Sequence, residues 1–125
     1  MFYHIRMIEC GPSNPRNFEK FGNYFYSRHR YKEAIECYEK AIELDPSNSM
    51  FWTDKGVALY GWGKFEKALK CFDKAIELNP SHPHPFESKG KTLKALDRNE
   101  DAKNCFRKAQ ELKDKIVKEI ETKML

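Results

Sequence analysis

The stretch WTDKGVALYGWGKFEKALKCFDKAIELNP, residues 52–80, decides the fold of this 125-residue chain. Its apolar residues recur at spacings that place them on one face of a helix. Gly61 and Gly63 interrupt the pattern, and Pro80 ends it because proline cannot continue the helical hydrogen-bond ladder. The stretch therefore predicts two helices, at roughly 49–62 and 65–78, joined by a short turn.

The same pattern occurs three times at a spacing of 34 residues and without insertion. One column of glycine and two columns of alanine keep this spacing: Gly22, Gly56 and Gly90; Ala34, Ala68 and Ala102; Ala41, Ala75 and Ala109. A fixed period of this size marks a stack of copies of one supersecondary unit. We therefore predict helical hairpins at 15–48, 49–82 and 83–116. The prolines and glycines rule out a heptad coiled coil across 15–82.

The recurring glycines indicate a steric requirement, because a mid-helix glycine costs about 0.5–1 kcal/mol relative to alanine. The requirement that the sequence favours is the close approach of a neighbouring helix backbone. Large aromatic residues would fill the space that remains: Phe18, Trp52 and Phe86 in the first helices, and Tyr38, Phe72 and Phe106 in the second.

These residues closely resemble the tetratricopeptide repeat family, whose signature is W-x2-L-G-x2-Y, then A-x3-F, then P. The second copy matches at Trp52, Gly56, Ala68, Phe72 and Pro80, and departs at Lys55 and Leu59. The resemblance implies an all-α fold, a right-handed superhelical stack of three antiparallel helix-turn-helix hairpins. It also implies a non-catalytic scaffold that binds a peptide or protein segment in a concave groove.

In this family the first helix of each hairpin lines the groove, and the register gives the matching positions here. They are Arg16, Lys20, Asn23 and Tyr26 in the first copy, Thr53, Asp54, Val57 and Tyr60 in the second, and His84, Glu87, Lys91 and Lys94 in the third. Tyr26 and Tyr60 are the strongest candidates for ligand contact, because exposed aromatic side chains dominate recognition energies.

One subset of the family grips the C-terminal carboxylates of chaperone tails with a clamp of Lys, Asn and Arg. The matching positions here are Glu19, Asn23, Asp54, His84 and Ser88, and only Asn23 agrees. Glu19 and Asp54 would repel a carboxylate. The groove is therefore not expected to bind an acidic chaperone C-terminus.

The third copy departs from the others in a way that predicts the end of the stack. Lys103 and Gln110 replace apolar residues at positions where a following repeat would dock, and Asp114 stands where proline is expected. One helix should therefore run from about Asn99 to near Lys123, with 117–125 as an extension. It carries an apolar stripe, which either caps the body or pairs with a second chain to make a self-assembly module: Leu112, Ile116, Val117, Ile120 and Met124.

The remaining candidates for special chemistry are few. Cys37, Cys71 and Cys105 keep the 34-residue period and are expected to be packing residues in a reducing compartment. His82 and His84 offer two ligands where zinc sites usually need three or four, so no metal site is predicted. No phosphate-binding loop, nucleophile elbow or HExxH motif is present, so we expect no enzyme activity and no cofactor.

Composition limits the partners and the location. The net charge is +4, and its excess lies in the C-terminal third without a dense basic run, so nucleic-acid binding there is the least favoured function. No stretch approaches the roughly 20 apolar residues that a bilayer needs, and no secretory signal is seen. A cytoplasmic protein without a membrane partner is expected. Residues 1–14 are predicted to be a strap over the first repeat, through Phe2, Tyr3, Ile5 and Ile8, or a disordered leader.

Overall fold

A computed structural model describes residues 14–125, which form six α-helices and, over that range, no strand. The helices are α1 (Pro15–Ser27), α2 (Tyr31–Leu44), α3 (Ser49–Gly61), α4 (Phe65–Leu78), α5 (Pro83–Ala95) and α6 (Asn99–Met124). They pair as three hairpins, and each hairpin packs against the next. The predicted all-α hairpin stack and its long final helix are confirmed. The strap or leader predicted at the N-terminus lies outside the described residues, apart from Asn14.

The helices begin at equivalent positions of the three copies, 34 residues apart. Asn14 and Asn48 cap α1 and α3, each accepting a hydrogen bond from the backbone N–H two residues on, at 3.0 Å. The turn inside each hairpin has one residue in the left-handed region, with φ of 60°, 81° and 59° at His29, Gly63 and Asp97. The sequence indicates this turn only at Gly63, because glycine adopts a positive φ without strain. His29 and Asp97 adopt it at a cost of about 1–2 kcal/mol.

The recurring glycines of the first helices lie beneath aromatic rings of the second helices. A Cβ added at Gly56 would stand 2.5 Å from the ring of Phe72, and one at Gly90 would stand 2.7 Å from the ring of Phe106. Tyr38 covers Gly22 in the same way. The expectation of an approaching neighbouring backbone is therefore wrong, because the space at each glycine is taken by a ring from its own hairpin.

The core between the hairpins is built from the alanine columns and a few large apolar residues. All six alanines are buried, and so are Ile35 and Leu69 at the two junctions between hairpins. The matching Lys103 is exposed, which agrees with the third hairpin being the last of the stack. Phe51, a large core residue that the period does not reveal, is fully buried beside Phe18 and Ala41.

The stack curves so that its first helices lie inside the bend. Helix α3 contacts both α1 and α5, whereas no comparable contact joins α2 to α4 or α4 to α6 in the described part of the chain. The first helices therefore form a concave face, and clefts open between the second helices on the convex face. Among residues 14–125, no helix is both long and apolar enough to cross a membrane.

The last helix continues past its partner without a bend. Leu112 is buried against the third hairpin, whereas Ile116, Val117 and Ile120 are 40%, 51% and 53% exposed. The tail therefore does not fold back to cap the body, because α6 is one uninterrupted helix to Met124. Leu112 also drops out of the predicted self-association stripe, since a buried side chain is not available to a second chain.

The contact between ring and glycine predicts that the same substitution costs more stability at Gly56 than at Gly90. We expect Gly56→Ala to lower the free energy of unfolding by about 1–3 kcal/mol, the usual cost of overpacking, because Phe72 is 0% exposed and cannot move. Gly90→Ala should cost clearly less, since Phe106 is 37% exposed and can swing toward solvent. Urea unfolding of both variants measures the difference, and equal losses would contradict the explanation.

Candidate functional site

A groove of about 160 Å³ crosses the concave face and is lined by side chains from all three hairpins. Tyr26 comes from α1 and Tyr60 from α3, and the two occupy the same position in successive repeats. Val57 and the ring of Phe72 supply an apolar floor. The third hairpin contributes polar groups on α5: His84, Ser88 and Lys91. The groove thus joins two half-exposed aromatic rings to a polar wall.

The structure brings together five of the twelve positions predicted to line the groove: Tyr26, Val57, Tyr60, His84 and Lys91. Thr53 is a wrong prediction, because it is fully buried and its hydroxyl donates to the carbonyl of Ser49 at 2.9 Å. Glu87 is engaged by an ion pair with Lys113. Lys20 and Lys94 are exposed and do not line this cavity. Ser88, which the register also places on this face, lines the groove, and Phe72 lines it without having been predicted to.

Two acidic side chains, Glu19 of α1 and Asp54 of α3, meet on the same concave face, one helical turn from Val57. Burial, followed by the hydrogen bond to Glu19 and the charge of Glu19, raises the pKa of Asp54 to about 8, while the positive charge of Arg16 opposes this. No hydrogen-bond donor among the described residues reaches the buried Oδ2 of Asp54. Two carboxyl groups share a hydrogen bond only when one is protonated, so the pair holds one proton at neutral pH, and the raised pKa assigns that proton to Asp54.

Other polar groups of the face are held by neighbouring side chains. Arg16 lies 3.2 Å from the carboxylate of Glu19, and the Tyr38 hydroxyl donates to Asn23 Oδ1 at 2.5 Å. The bond to Tyr38 occupies the carbonyl oxygen of Asn23 and fixes its amide. Burial, together with the nearby His82, lowers the pKa of His84 and so favours its neutral imidazole.

The three periodic thiols lie away from this groove. Cys37 and Cys71 are buried in the core cluster around Phe72, and Cys105 is half-buried. Burial raises the pKa of the Cys37 thiol to about 12, and it also raises the pKa values of the other two. The thiolate is the nucleophile and the metal ligand, so burial holds these side chains in their unreactive form.

Comparison with known proteins gives family matches along most of the described chain. Models described as tetratricopeptide repeat match residues 49–82 and 86–116, and one described as TPR repeat matches residues 22–63. The search of curated proteins found no match.

Solved structures with this fold include domains that bind peptides. The first TPR domain of human RPAP3 is 30% identical over 82% of this chain and 80% of that one, with a TM-score of 0.78. The first TPR of Spaghetti (RPAP3), solved with the HSP90 peptide SRMEEVD, is 29% identical over 79% of each chain, with a TM-score of 0.77. MamA, at 20% identity and a TM-score of 0.83, shares the fold, and the chain spans 65% of its length.

The protonated Asp54 predicts a dependence of stability on pH. Its pKa is raised in the folded state, so its contribution is complete below about pH 4 and is lost as the pH rises through about 8. Asp54→Asn keeps the shape and cannot ionise. We expect this variant to gain about 1–3 kcal/mol over the parent at pH 9, the usual cost of a buried polar group left unsatisfied, and much less at pH 5. Thermal melts across this range provide the measurement, with Glu111→Gln at an exposed position of α6 as the control. A difference that does not change with pH would contradict the assignment.

Proposed function

The chain belongs to the tetratricopeptide repeat family and is a protein-interaction scaffold, and we propose that it holds a peptide or protein segment in its concave groove. The observation that carries the proposal is the pair Tyr26 and Tyr60, two half-exposed rings that line the same groove together with apolar Val57. Rigid aromatic side chains in a concave, partly apolar site are the usual anchors of recognition. The proposed role is non-catalytic and requires no cofactor. A cytoplasmic location remains a prediction.

The charges of the face suggest which segments it accepts. A ligand carboxylate near Glu19 and Asp54 would meet one negative charge and one buried acid that ionises with difficulty. A lysine or arginine side chain of the ligand, in contrast, can replace the proton that the two acids share. We therefore propose that the groove takes a segment with a basic or neutral side chain at this point, and that it is not a carboxylate clamp for chaperone tails.

The groove can be tested by selecting peptides from a random display library against the whole chain. We expect the selected peptides to lose at least about tenfold in affinity on Tyr26→Ser/Tyr60→Ser, the loss expected when aromatic anchors are removed. Tyr24→Ser is the matched control, because Tyr24 is an exposed tyrosine on the same helix outside the groove. Peptides that bind both variants as tightly as the parent would place recognition elsewhere.

The exclusion of clamp-type binding can be tested by calorimetric titration of the whole chain with the peptide SRMEEVD, which was solved bound to the related Spaghetti domain. We expect no saturable binding in the micromolar range at pH 7.5, because the acidic pair stands where the clamp needs cations. A micromolar dissociation constant for this peptide would overturn the exclusion of clamp-type binding.

A second candidate function is self-association through the exposed stripe of α6, formed by Ile116, Val117, Ile120 and Met124. Its support is the run of apolar side chains that no described residue covers beyond the third hairpin. Pairing with a second copy would bury this stripe. Light scattering at high micromolar concentration should then give a dimer mass for the parent and a monomer mass for Ile116→Glu/Ile120→Glu. A monomeric parent would remove this candidate and leave the groove unaffected.

A further inference from the structure

Two clefts on the convex face occupy equivalent places in the repeat. The first cleft lies between α2 and α4 above α3 and has a volume of about 480 Å³. The second cleft lies between α4 and α6 above α5 and has a volume of about 390 Å³. Because the chain repeats every 34 residues, each side chain of the second cleft has a counterpart in the first. The two can therefore be compared position by position.

The second cleft is bridged by ion pairs between hairpins. Lys89 lies 2.6 Å from Asp73, and Arg98 lies 3.0 Å from Glu66. Leu96 packs beside the buried cluster that these pairs flank. Both basic side chains that line this cleft, Lys89 and Arg98, are therefore paired, and neither is free to bind an anionic ligand.

The first cleft forms neither pair, although Lys55 and Glu39, the counterparts of Lys89 and Asp73, keep opposite charges. The counterparts of Arg98 and Glu66 are Lys64 and Lys32, two like charges that cannot bridge. Lys55, the counterpart of Lys89, lies over the ring of Trp52 at 5.7 Å, and Lys64 lies over the ring of Trp62 at 5.2 Å.

Two more lysines, Lys67 and Lys70, stand in the first cleft where the second has Asp101 and Asn104. Within residues 14–125, none of the lysines that line the first cleft forms an ion pair, and neither does Lys64 beside it: Lys32, Lys55, Lys67 and Lys70. The lysines that line the cleft therefore outnumber its two acidic side chains, Glu36 and Glu39, and leave an excess of positive charge.

The floor of the first cleft is apolar and well held. Trp52 and Trp62 replace Phe86 and Leu96, and Ile35 and Leu59 lie between them. The Trp52 indole N–H donates to the carbonyl of Pro46 at 3.0 Å, which fixes the ring. Trp62 stays 46% exposed. A rigid aromatic socket surrounded by cations suits a ligand that is apolar at its centre and anionic at its sides.

We propose that the first cleft is a second binding site, and that it takes an acidic peptide segment in which a large apolar side chain is flanked by carboxylates. The apolar side chain would enter between Trp52 and Trp62, and the carboxylates would meet Lys67, Lys70 and Lys32. Glu36 and Glu39 form the wall on α2. They would direct the ligand's acids toward α4, and they disfavour the continuous negative charge of a nucleic acid.

This site is separate from the concave groove. Trp52, Lys55 and Leu59 project from one side of α3, whereas Asp54 and Val57 project from the other. The two surfaces also select opposite charges, because the acidic pair lies on the concave side. The proposal therefore goes beyond peptide binding in the groove and can fail independently of it.

The cleft carries its own probe, because the two tryptophans of the chain both line it. The test titrates the full chain with a blocked, amidated peptide that has a leucine–phenylalanine pair between two runs of three glutamates. Binding should shift the tryptophan emission and weaken as salt rises. A matched peptide with lysines in place of glutamates should leave the emission unchanged.

Charge-reversal variants then place the ligand. Lys67→Glu/Lys70→Glu should weaken binding of the acidic peptide at least about tenfold, as the loss of close charge pairs does at other interfaces. Lys108→Glu/Lys118→Glu changes the net charge equally on the exposed side of α6 and should bind like the parent. Lys32→Glu recreates the pair of the second cleft with Lys64, so it should also weaken binding and raise the melting temperature.

Several outcomes would overturn the proposal. These are no change in emission at millimolar peptide, equal binding of the lysine peptide, and equal loss in the Lys108→Glu/Lys118→Glu control. Tighter binding of a single-stranded oligothymidylate with a steep salt dependence would assign the cleft to nucleic acid instead. Emission that changes with protein concentration alone would assign it to a second copy of the chain. If Tyr26→Ser/Tyr60→Ser did not weaken the binding of groove peptides, the proposed function of the groove would be wrong, but the proposal for the first cleft would still stand.

Discussion

The contact between a glycine of the first helix and an aromatic ring of the second is the constraint on which each hairpin depends. At Gly56 the ring of Phe72 occupies the space that any Cβ would need, and the hairpins on either side repeat the arrangement. Because the ring is held at this depth, the two helices pack closely and the alanine columns close the remaining gaps. Stacking of three such units then buries the apolar faces that a single hairpin would leave open.

The curvature of the stack follows from the same packing and divides the molecule into two different surfaces. First helices touch along the inside of the bend and form one continuous groove, while second helices stand apart and leave clefts. The proposed functions lie where side chains depart from the period on these surfaces. Glu19 and Asp54 place two acids together on the inside, and Lys32 and Lys64 leave the first cleft without the ion pair that bridges the second.

Much of the fold could be predicted because the relevant residues recur in columns. The helix pairs follow from a single register. The polar face at Lys103 and the uninterrupted last helix follow from the positions where the third copy departs from that register. The burial of Phe51 was not predicted, because the equivalent positions of the other copies hold residues of different types, Asn17 and Pro85. The burial of Thr53 could not be predicted either, since it depends on how closely neighbouring first helices approach, and a register gives only the direction of a side chain.

The candidate sites were harder to predict, because each is assembled from residues in different columns. The groove tyrosines share one column and were found. Glu19 and Asp54 were identified singly, but the shared proton depends on their burial against each other. The first cleft could not be predicted from the sequence. It is recognised by comparing the two ion pairs of the second cleft with the equivalent positions of the first cleft, where no ion pair forms.

The central claim is that the aromatic ring of the second helix leaves room only for glycine at the facing position of the first helix. A double-mutant cycle between Gly56→Ala and Phe72→Leu tests this claim most directly. Removing the ring should make alanine at position 56 harmless or mildly favourable, as expected in an open helix. The two substitutions should therefore show a coupling energy of at least about 1 kcal/mol in urea unfolding. Strictly additive losses would contradict the account, because they would mean that the glycine is required for a reason unrelated to the ring.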